Sequence, residues 1–398
     1  MYKFCEVLDD MLKVNYAKDY VDLVAVGEIA DVMNRCTSET NALIMLGLHS
    51  IKNKGLRTLI ESQSFSLKDK AVYPYNGLTP IDIAFYIAPM INAITRVGTM
   101  EEKETMFYCF IEPDRLVPST KRGARDNDTE TAAEQTARVG KNAKARQDKF
   151  KEKAIEIMDF RIQKEGLQNN NIIIAEIEPQ DKIPSELGGL VAMAMVNKYH
   201  RPCFMLRDTG DDFLQGSARN NGNFAAMPDL KSYAENSGYF TYVAGHDGAF
   251  GAGIQRSQIE KFIDYANTNL PADAFENCYL VDYILNAQDN NLGLIKALAE
   301  HPEYFGNGVD EIRLVIKDIS VKNYMLMGAN RDSVKISFNG IDYVHFKDQD
   351  FIDELISNQD KKLTIYTRPN LNEWGGRTTV QCFIDDYCFE NNDSKYDF

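Results

Sequence analysis

A long polar segment without proline, residues 120–163, constrains the fold of this chain more than any other feature. It begins as a loop rich in Asp, Asn and Thr and continues as a run of Ala, Glu, Gln, Arg and Lys. The first composition is typical of loops, and the second contains good helix formers. We therefore predict a bridging helix between domains over residues 117–168.

The chain on the N-terminal side of this segment has a helical pattern. From Tyr2 to about Phe110, apolar residues recur at short helical spacing, clearly so in residues 42–48 and 83–94. We expect residues 1–116 to be mostly helical.

Strand and helix patterns alternate after the bridging helix. The predicted elements are a strand at 172–175, a helix at 187–199, strands at 202–206 and 213–218, a helix near Leu230 and a strand at 239–243. This order predicts a compact α/β domain over residues 169–256. The next helix is predicted to open with a capping box formed by Ser257 and Glu260, at the start of a helical connector over residues 257–311.

The last eighty or so residues are rich in strand patterns. Asn339-Gly340 lies between two alternating runs, 333–338 and 341–346, and is a strong two-residue hairpin signal because both positions of a type I′ turn need a positive φ. With 313–320, 362–367 and 378–384 the strands number about five, and one helix is predicted near 351–356. We predict an OB-fold barrel over residues 312–390, with an SH3-like barrel as the alternative and a tail at 391–398. The predicted fold class is thus multidomain α/β.

Composition limits the type of site and its location. The formal net charge is -15, from 44 Lys and Arg against 59 Asp and Glu, so any nucleic-acid site must be local. Residues 121–153 hold ten basic residues, among them Arg146 and Lys149, which form either a nucleic-acid surface or a solvated helix face.

The seven cysteines form no C-x-x-C pair, which argues against a disulfide framework and a zinc site. No apolar stretch approaches the roughly 20 residues that span a bilayer, so we expect a cytoplasmic protein without a membrane partner.

Two glycine-containing stretches could bind an anion. Residues 215–220 and 244–253 each lie at the end of a predicted strand, where a tight turn would expose backbone amides suited to an anion. Ser217, Arg219 and His246 beside these turns would form a phosphate cradle, because Arg offers a bidentate fork and His a donor. Either stretch alone is also compatible with a purely structural turn.

Asp31 is a candidate of another kind. It follows a nearly continuous apolar run, residues 21–30, and a carboxylate at the edge of a core needs a partner. A helix cap, a salt bridge and a metal ion are all open interpretations of Asp31.

Seven parts of the chain carry distinctive motifs: 22–31, 88–96, 188–192 with 199–202, 216–220, 244–251, 305–308 and 372–377. In this order they resemble motifs of the RecJ-like single-strand-specific DNA exonucleases of the DHH phosphoesterase superfamily. The resemblance extends over almost the whole chain.

This resemblance implies roles for individual residues. Asp31 is similar to the last Asp of the fourth phosphoesterase motif, which binds catalytic Mn²⁺ or Mg²⁺. The implied phosphate-binding and strand-path residues are Ser217, Arg219, Gly245, His246, Asn92 and Arg96. Trp374 and Arg377 belong to a segment similar to the family's N-E-W-x-G-R barrel signature, and they would guide single-stranded DNA.

The chain also departs from the family pattern. The Asp pair, the further Asp and the Asp-His-His run that hold two metal ions are absent, and the chain contains no His-His dipeptide. We therefore expect an N-terminally truncated member that lacks most of the metal-binding domain. Single positions differ as well: Met90 replaces Arg, Thr95, Ala218 and Ala244 replace Gly, and Asn220 replaces Ser.

Three functions follow from these observations as hypotheses. The chain is either part of a 5′–3′ exonuclease that needs a separate chain with the Asp-His-His domain, or a non-catalytic protein that binds single strands. A phosphoesterase for short oligonucleotides is less favoured, because such relatives generally lack the appended barrel.

Overall fold

A computed structural model describes residues 1–390 apart from 223, 225, 226, 228, 272, 277 and 375. The predicted tail 391–398 and the side chain of Trp374 lie outside the described part of the protein. The described chain forms two compact units, each discontinuous in sequence. Unit 1 contains Met1–Lys52, Val72–Phe85 and the chain from Leu280 onward, and unit 2 contains Asn53–Ala71 and Tyr86–Tyr279.

Helices and strands are numbered here in chain order. The helices are α1 Tyr2–Leu12, α2 Val21–Ala30, α3 Ser38–His49, α4 Lys54–Glu61, α5 Ser64–Leu67, α6 Pro80–Asp82, α7 Ala88–Val97, α8 Met100–Ile111, α9 Ala132–Glu165, α10 Gly188–Tyr199, α11 Leu230–Asn236, α12 Arg256–Asn269, α13 Leu292–Ala299 and α14 Gln349–Ser357. The strands are β1 Leu116–Pro118, β2 Thr129–Thr131, β3 Ile173–Glu176, β4 Cys203–Asp208, β5 Phe213–Arg219, β6 Phe240–His246, β7 Ala249–Gln255, β8 Tyr283–Asn286, β9 Leu314–Ser320, β10 Tyr324–Met327, β11 Ser333–Phe338, β12 Ile341–His345, β13 Lys362–Trp374 and β14 Arg377–Phe389. No described helix is both long and apolar enough to pass through a membrane.

The predicted bridging helix is α9, which is 34 residues long. It begins with a capping box between Thr131 and Glu134 and ends at Gly166 in the left-handed conformation. Its first half buries Val139 and Ala143 against α7, and its second half contributes to the core of the five-stranded sheet of unit 2. From Ala132 onward the polar segment therefore forms one continuous helix, and each half of this helix has its own apolar partner, whereas residues 120–131 form turns and strand β2.

The sheet of unit 2 has the strand order β3-β4-β5-β7-β6, with only the pair β3 and β4 parallel. One face of the sheet packs through an aromatic cluster in which the rings of Phe240 and Phe262 lie 4.8 Å apart. On the other face α10 packs on β4 and β5. The predicted strands and helices of this region are confirmed within one to three residues, and β7 is an additional strand.

The predicted capping box at Ser257 and Glu260 is wrong. Strand β7 runs on to Gln255, which pairs with Phe213, and α12 begins at Arg256 without a side-chain cap. Arg256 is fixed there by ion pairs with Glu176 at 2.6 Å and Asp208 at 2.9 Å. The end of the strand and these ion pairs therefore set the start of the helix, and Ser257 lies inside it.

The sheet of unit 1 has seven strands in the order β10-β11-β12-β14-β13-β9-β8. Its five predicted strands form the order β11-β12-β14-β13-β9, with β12 and β14 parallel and α14 between β12 and β13. This Greek-key order agrees with the predicted OB-fold. The hairpin at Asn339 (φ 49) and Gly340 (φ 80) is confirmed, and β8 and β10 are additional strands.

The helical part of unit 1 is held to residues 303–309 by polar contacts. The Arg35 guanidinium is buried and donates to the carbonyl oxygens of Phe305 and Glu303, the latter at 3.1 Å. The backbone amide of Arg35 donates to the carbonyl oxygen of Asn307 at 2.8 Å, and the Asn307 amide group donates to the carbonyl oxygen of Val32. These bonds fix the loop that directly follows Asp31.

Candidate functional site

Arg219 lies at the end of β5, on the face of the sheet that α10 covers. Its directly opposite partner on β4 is Cys203, and α10 packs on both strands. A Cβ atom added to Gly189 would lie 2.9 Å from the Cζ atom of Arg219, so the guanidinium occupies the space that a side chain at Gly189 would need. Because Gly189 has no side chain, the start of α10 leaves the space that the guanidinium of Arg219 occupies.

Arg96 is the second cation of this site. It lies in the last turn of α7, and α7 packs against the short 3-10 turn Ser185–Leu187 that leads into α10. Burial lowers the pKa of Arg219, and the positive charge of Arg96 lowers it further. The pKa of Arg96 is also lowered, by burial.

Neither arginine is neutralised within the described part of the chain, where no carboxylate forms an ion pair with Arg96 or Arg219. The guanidinium of Arg219 donates to the carbonyl oxygen of Ala218 at 2.7 Å. Two half-buried cations that repel one another, without an acid to balance them, form a site that favours an anion.

Ser217 and Asn92 lie beside the two arginines. Ser217 is two residues before Arg219 on the same face of β5, and its hydroxyl lies next to Gly188. Asn92 is one helical turn before Arg96, so both project from the same side of α7. The structure thus brings Ser217, Arg219, Asn92 and Arg96 to one region of unit 2.

His246 and Gly245 lie on a neighbouring strand of the same sheet. Arg219 pairs with Ala249, and Ala249 pairs with His246, so the three residues form one row across three strands. Directly opposite residues share a face, and two strand spacings separate the backbones of Arg219 and His246 by roughly 10 Å. The His246 side chain is exposed. Gly245 lies within β6 with φ 141, and a Cβ atom there would lie 2.7 Å from Cα of its partner Phe250 on β7, so the close pairing of the two strands requires glycine.

Asp31 belongs to unit 1 and is exposed at the C-terminal end of α2. The nearby buried carboxylate is Asp22, whose oxygens accept the backbone amides of Leu23 at 2.8 Å and Lys52 at 2.7 Å. Among the described residues no group of three or more His, Cys, Asp or Glu could hold a metal ion. The residues described do not form a complete metal site around Asp31.

The remaining candidates are dispersed. Arg146 forms an ion pair with Glu102 at 2.6 Å, which neutralises part of the basic stretch, whereas Lys149 is exposed. Arg377 is exposed at the start of β14, after the turn at Gly376 (φ 74), and the side chain of Trp374 is outside the described part. Arg146 and Lys149 lie on α9, and Arg377 lies in the other compact unit than Arg219.

Two residues with a positioning role were not among the sequence candidates. Gly189 shapes the place of Arg219, and the signal available for it was the Gly188-Gly189 pair at a helix start. Arg35 anchors the loop after Asp31, and the sequence around Arg35 contains no comparable signal.

Comparison with known proteins matches this chain to a family model and to curated relatives. A model of the RecJ OB domain matches residues 281–386. A protein of Bacillus subtilis (strain 168) named as an SPbeta prophage-derived single-strand DNA-specific exonuclease, YorK, is 31% identical over 400 residues, which cover 96% of this chain and 66% of that protein. The corresponding protein of Bacillus phage SPbeta matches with the same identity and coverage.

Solved structures match in fold. RecJ from Thermus thermophilus in complex with Mn²⁺ superimposes with a TM-score of 0.67 at 18% identity, covering 96% of this chain and 51% of that chain. The Mg²⁺ complex from the same organism gives a TM-score of 0.64 at 17% identity, covering 96% and 54%. The chain therefore spans 66% of the length of the curated relatives and about half of the solved chains.

Proposed function

Because the chain belongs to the RecJ-like family, we propose that it is the substrate-holding part of a 5′–3′ exonuclease that digests single-stranded DNA in the cytoplasm. The residues proposed to hold the terminal phosphate are Arg219, Arg96 and Ser217, with Asn92 along the path of the strand. Gly245 and His246 would complete the cradle from the neighbouring strand.

The single observation that supports this proposal is the pair of uncompensated arginines. Arg96 and Arg219 are half-buried, the charge of Arg96 helps to lower the pKa of Arg219, and both lack an acidic partner among the described residues. A phosphate group is an acceptor of the right charge and geometry for a guanidinium fork. A site of this kind also agrees with a net charge of -15, because the positive potential is local.

Divalent metal is the second requirement of the proposed reaction. The two solved relatives are described as complexes with Mn²⁺ and Mg²⁺. The described residues of this chain do not fit a complete site, so we propose that Asp31 is one ligand and that a separate chain with the Asp-His-His domain supplies the others.

Each proposed domain has its own role in the proposed function. Residues 1–116 would be the remainder of the phosphoesterase domain, 117–168 the bridging helix, 169–256 the phosphate-binding domain and 257–311 the connector. The barrel at 312–390 would guide the strand, with Trp374 and Arg377 as contacts. Lys149 is a weaker candidate for the same role, and Arg146 weaker still because Glu102 already pairs with it.

Binding of a labelled 20-nucleotide single strand, followed by fluorescence anisotropy over a salt series, tests the proposed site. We expect Arg219→Gln to weaken binding roughly tenfold or more, because a charge-assisted contact to phosphate is lost. The slope of log K against log salt should also fall by about 0.7, the contribution of one phosphate contact on a single strand.

Arg115→Gln is the matched control. Arg115 is exposed and already paired with Glu112 at 3.4 Å, so its removal changes the net charge equally without touching the site. Equal affinities for Arg219→Gln and the wild-type chain, with circular dichroism showing both folded, would exclude the proposed phosphate site.

A non-catalytic protein that binds single strands is the second candidate. The absence of a complete metal-ligand set among the described residues favours it. An activity assay distinguishes the two functions when the missing metal ligands are supplied on another polypeptide. If the chain is part of an exonuclease, the mixture should digest single strands in the presence of Mn²⁺. If the chain only binds single strands, no digestion should appear.

A further inference from the structure

Helix α1 turns its apolar side to solvent and its more polar side to the protein, the reverse of an ordinary surface helix. Its more covered positions are Tyr2, Cys5, Glu6 and Asp9, which lie on one side of the helix. Asp9 accepts the backbone amide of Ala17 at 2.7 Å on this side. The contacts that hold α1 to the rest of unit 1 are thus largely polar.

The opposite side of α1 is apolar and faces solvent. The large apolar residues of the helix and of its N-cap have the exposed fractions Met1 96%, Phe4 65%, Val7 58%, Leu8 41%, Met11 74% and Leu12 62%. The spacing of three and four residues makes them one continuous stripe, and no residue of α1 is buried. A contiguous exposed apolar patch on a folded protein marks an interaction site.

This stripe lies near the end of α2 that carries Asp31. The ammonium group of Lys3 pairs with Glu39 at 2.6 Å. Glu39 lies in the first turn of α3, and α3 packs against α2, the helix that ends next to Asp31. The two residues after Asp31, Val32 and Met33, are apolar and exposed to 59% and 41%.

We propose that the apolar stripe of α1, together with Val32 and Met33, is the docking surface for the polypeptide that carries the Asp-His-His metal-binding domain. This inference rests on the proposed function. Such a partner must touch the surface around Asp31, because the ligands of a two-metal site converge on ions only about 3.5–4 Å apart. A stable interface of this kind has an apolar centre.

The length of the chain relative to its relatives and its net charge favour this partner over a second copy of the chain or a membrane. The chain spans 66% of the curated relatives, so about a third of each relative has no counterpart here that could cover the stripe. A second copy and an anionic membrane surface are both disfavoured, because a chain of net charge -15 repels them.

The test uses the segment of the Bacillus subtilis relative that has no counterpart in this chain, co-expressed with the full chain and Mn²⁺. We expect a one-to-one complex by light scattering after size exclusion. The double variant Phe4→Glu with Met11→Lys should weaken the complex at least tenfold, while its affinity for single-stranded DNA stays at the wild-type level. The two substitutions leave the net charge unchanged and agree with the helix dipole, so α1 itself should remain folded.

Phe160→Glu with Phe150→Lys is the matched control. These phenylalanines of α9 are exposed to 68% and 47%, and the charges introduced are the same as in the α1 variant. The control should form the complex like the wild-type chain.

Three results would overturn the docking surface. The first is that the α1 variant forms the complex as well as the wild type does. The second is that the chain alone forms a dimer and the α1 variant does not. The third is that the chain binds phosphatidylserine vesicles and that this binding depends on Phe4. A benzophenone side chain at position 4 gives a second measurement, since its adduct should form with the co-expressed segment. Because complex formation is measured apart from DNA binding, failure here leaves the Arg219 experiment to decide the proposed function.

Discussion

At the scale of the residue, the position of Arg219 depends on Gly189 and not on its neighbour Gly188. A Cβ atom at Gly189 would meet the guanidinium at 2.9 Å from Cζ, whereas one at Gly188 would lie 3.7 Å from the hydroxyl of Ser217, an ordinary contact. The guanidinium must therefore move when Gly189, but not Gly188, gains a methyl group.

We predict that Gly189→Ala weakens single-strand binding about as much as Arg219→Gln does, because the displaced guanidinium no longer faces the phosphate. Gly188→Ala should bind like the wild type, and both variants should be folded, since Ala is a better helix former than Gly. Anisotropy with the labelled strand measures the affinities. Similar affinities for the two alanine variants would show that the position of Arg219 does not matter for binding.

The sequence identified the residue types of this site but not their arrangement. Arg96 and Arg219 are far apart in the chain, and nothing local indicates that both approach the start of α10. Asp31 was expected at the edge of a core and is exposed instead, because the buried carboxylate of that helix is Asp22. Local sequence does not reveal which side of a helix its neighbours cover.

At the scale of the element, α14 of the barrel depends on one capping carboxylate. Asp348 accepts the backbone amide of Phe351 at 2.9 Å and contacts His345 at 3.0 Å. Burial acts to raise the pKa of Asp348, but the hydrogen bonds from Phe351 and His345 outweigh it, so the pKa is lowered. A carboxylate with a lowered pKa stabilises the folded state above its unfolded pKa of about 3.9 and loses that effect as the pH falls through the folded value.

Asp348→Ala should lower the free energy of unfolding by about 1 kcal/mol at pH 7, the usual value of a helix cap. The difference from the wild type should shrink when the pH falls to 3. Urea unfolding at both pH values measures it, with Asp360→Ala as an exposed control that should unfold like the wild type. A difference that is the same at both pH values would contradict an ionised cap.

The elements that the sequence did not predict share a physical reason. Strand β7 has the sequence AFGAGIQ, which is poor in β-branched residues, yet it pairs with β5 and β6 on both sides. Strands β8 and β10 are four residues each and lie at the two ends of their sheet. Tertiary pairing forms these strands, whereas long periodic segments such as α9 are predictable because their own pattern is strong.

At the scale of the whole molecule, the chain alone should bind DNA but not metal. We predict that 1 mM Mn²⁺ leaves the midpoint of thermal unfolding unchanged, because the described residues contain no complete ligand set. A single strand at a hundred times its dissociation constant should raise the midpoint, since such binding stabilises by about 2.7 kcal/mol. Calorimetry with EDTA as the control measures both effects, and a saturable rise with Mn²⁺ would reveal a metal site in this chain.

The two compact units could not be predicted from the sequence. Unit 1 joins the first 52 residues to the chain from Leu280 onward, so its core depends on contacts between distant segments. The predicted order of helical, α/β and barrel regions follows the chain, whereas these units do not.

The contact between Arg35 and the carbonyl oxygen of Glu303 has a consequence during synthesis. The two residues are 268 positions apart, so at about 5–20 residues per second Arg35 is made roughly 13 to 54 s before its acceptor. Throughout that interval the Arg35 guanidinium lacks its acceptors in residues 303–305 and the loop after Asp31 is not yet fixed, so the nascent chain leaves this segment open to chaperones.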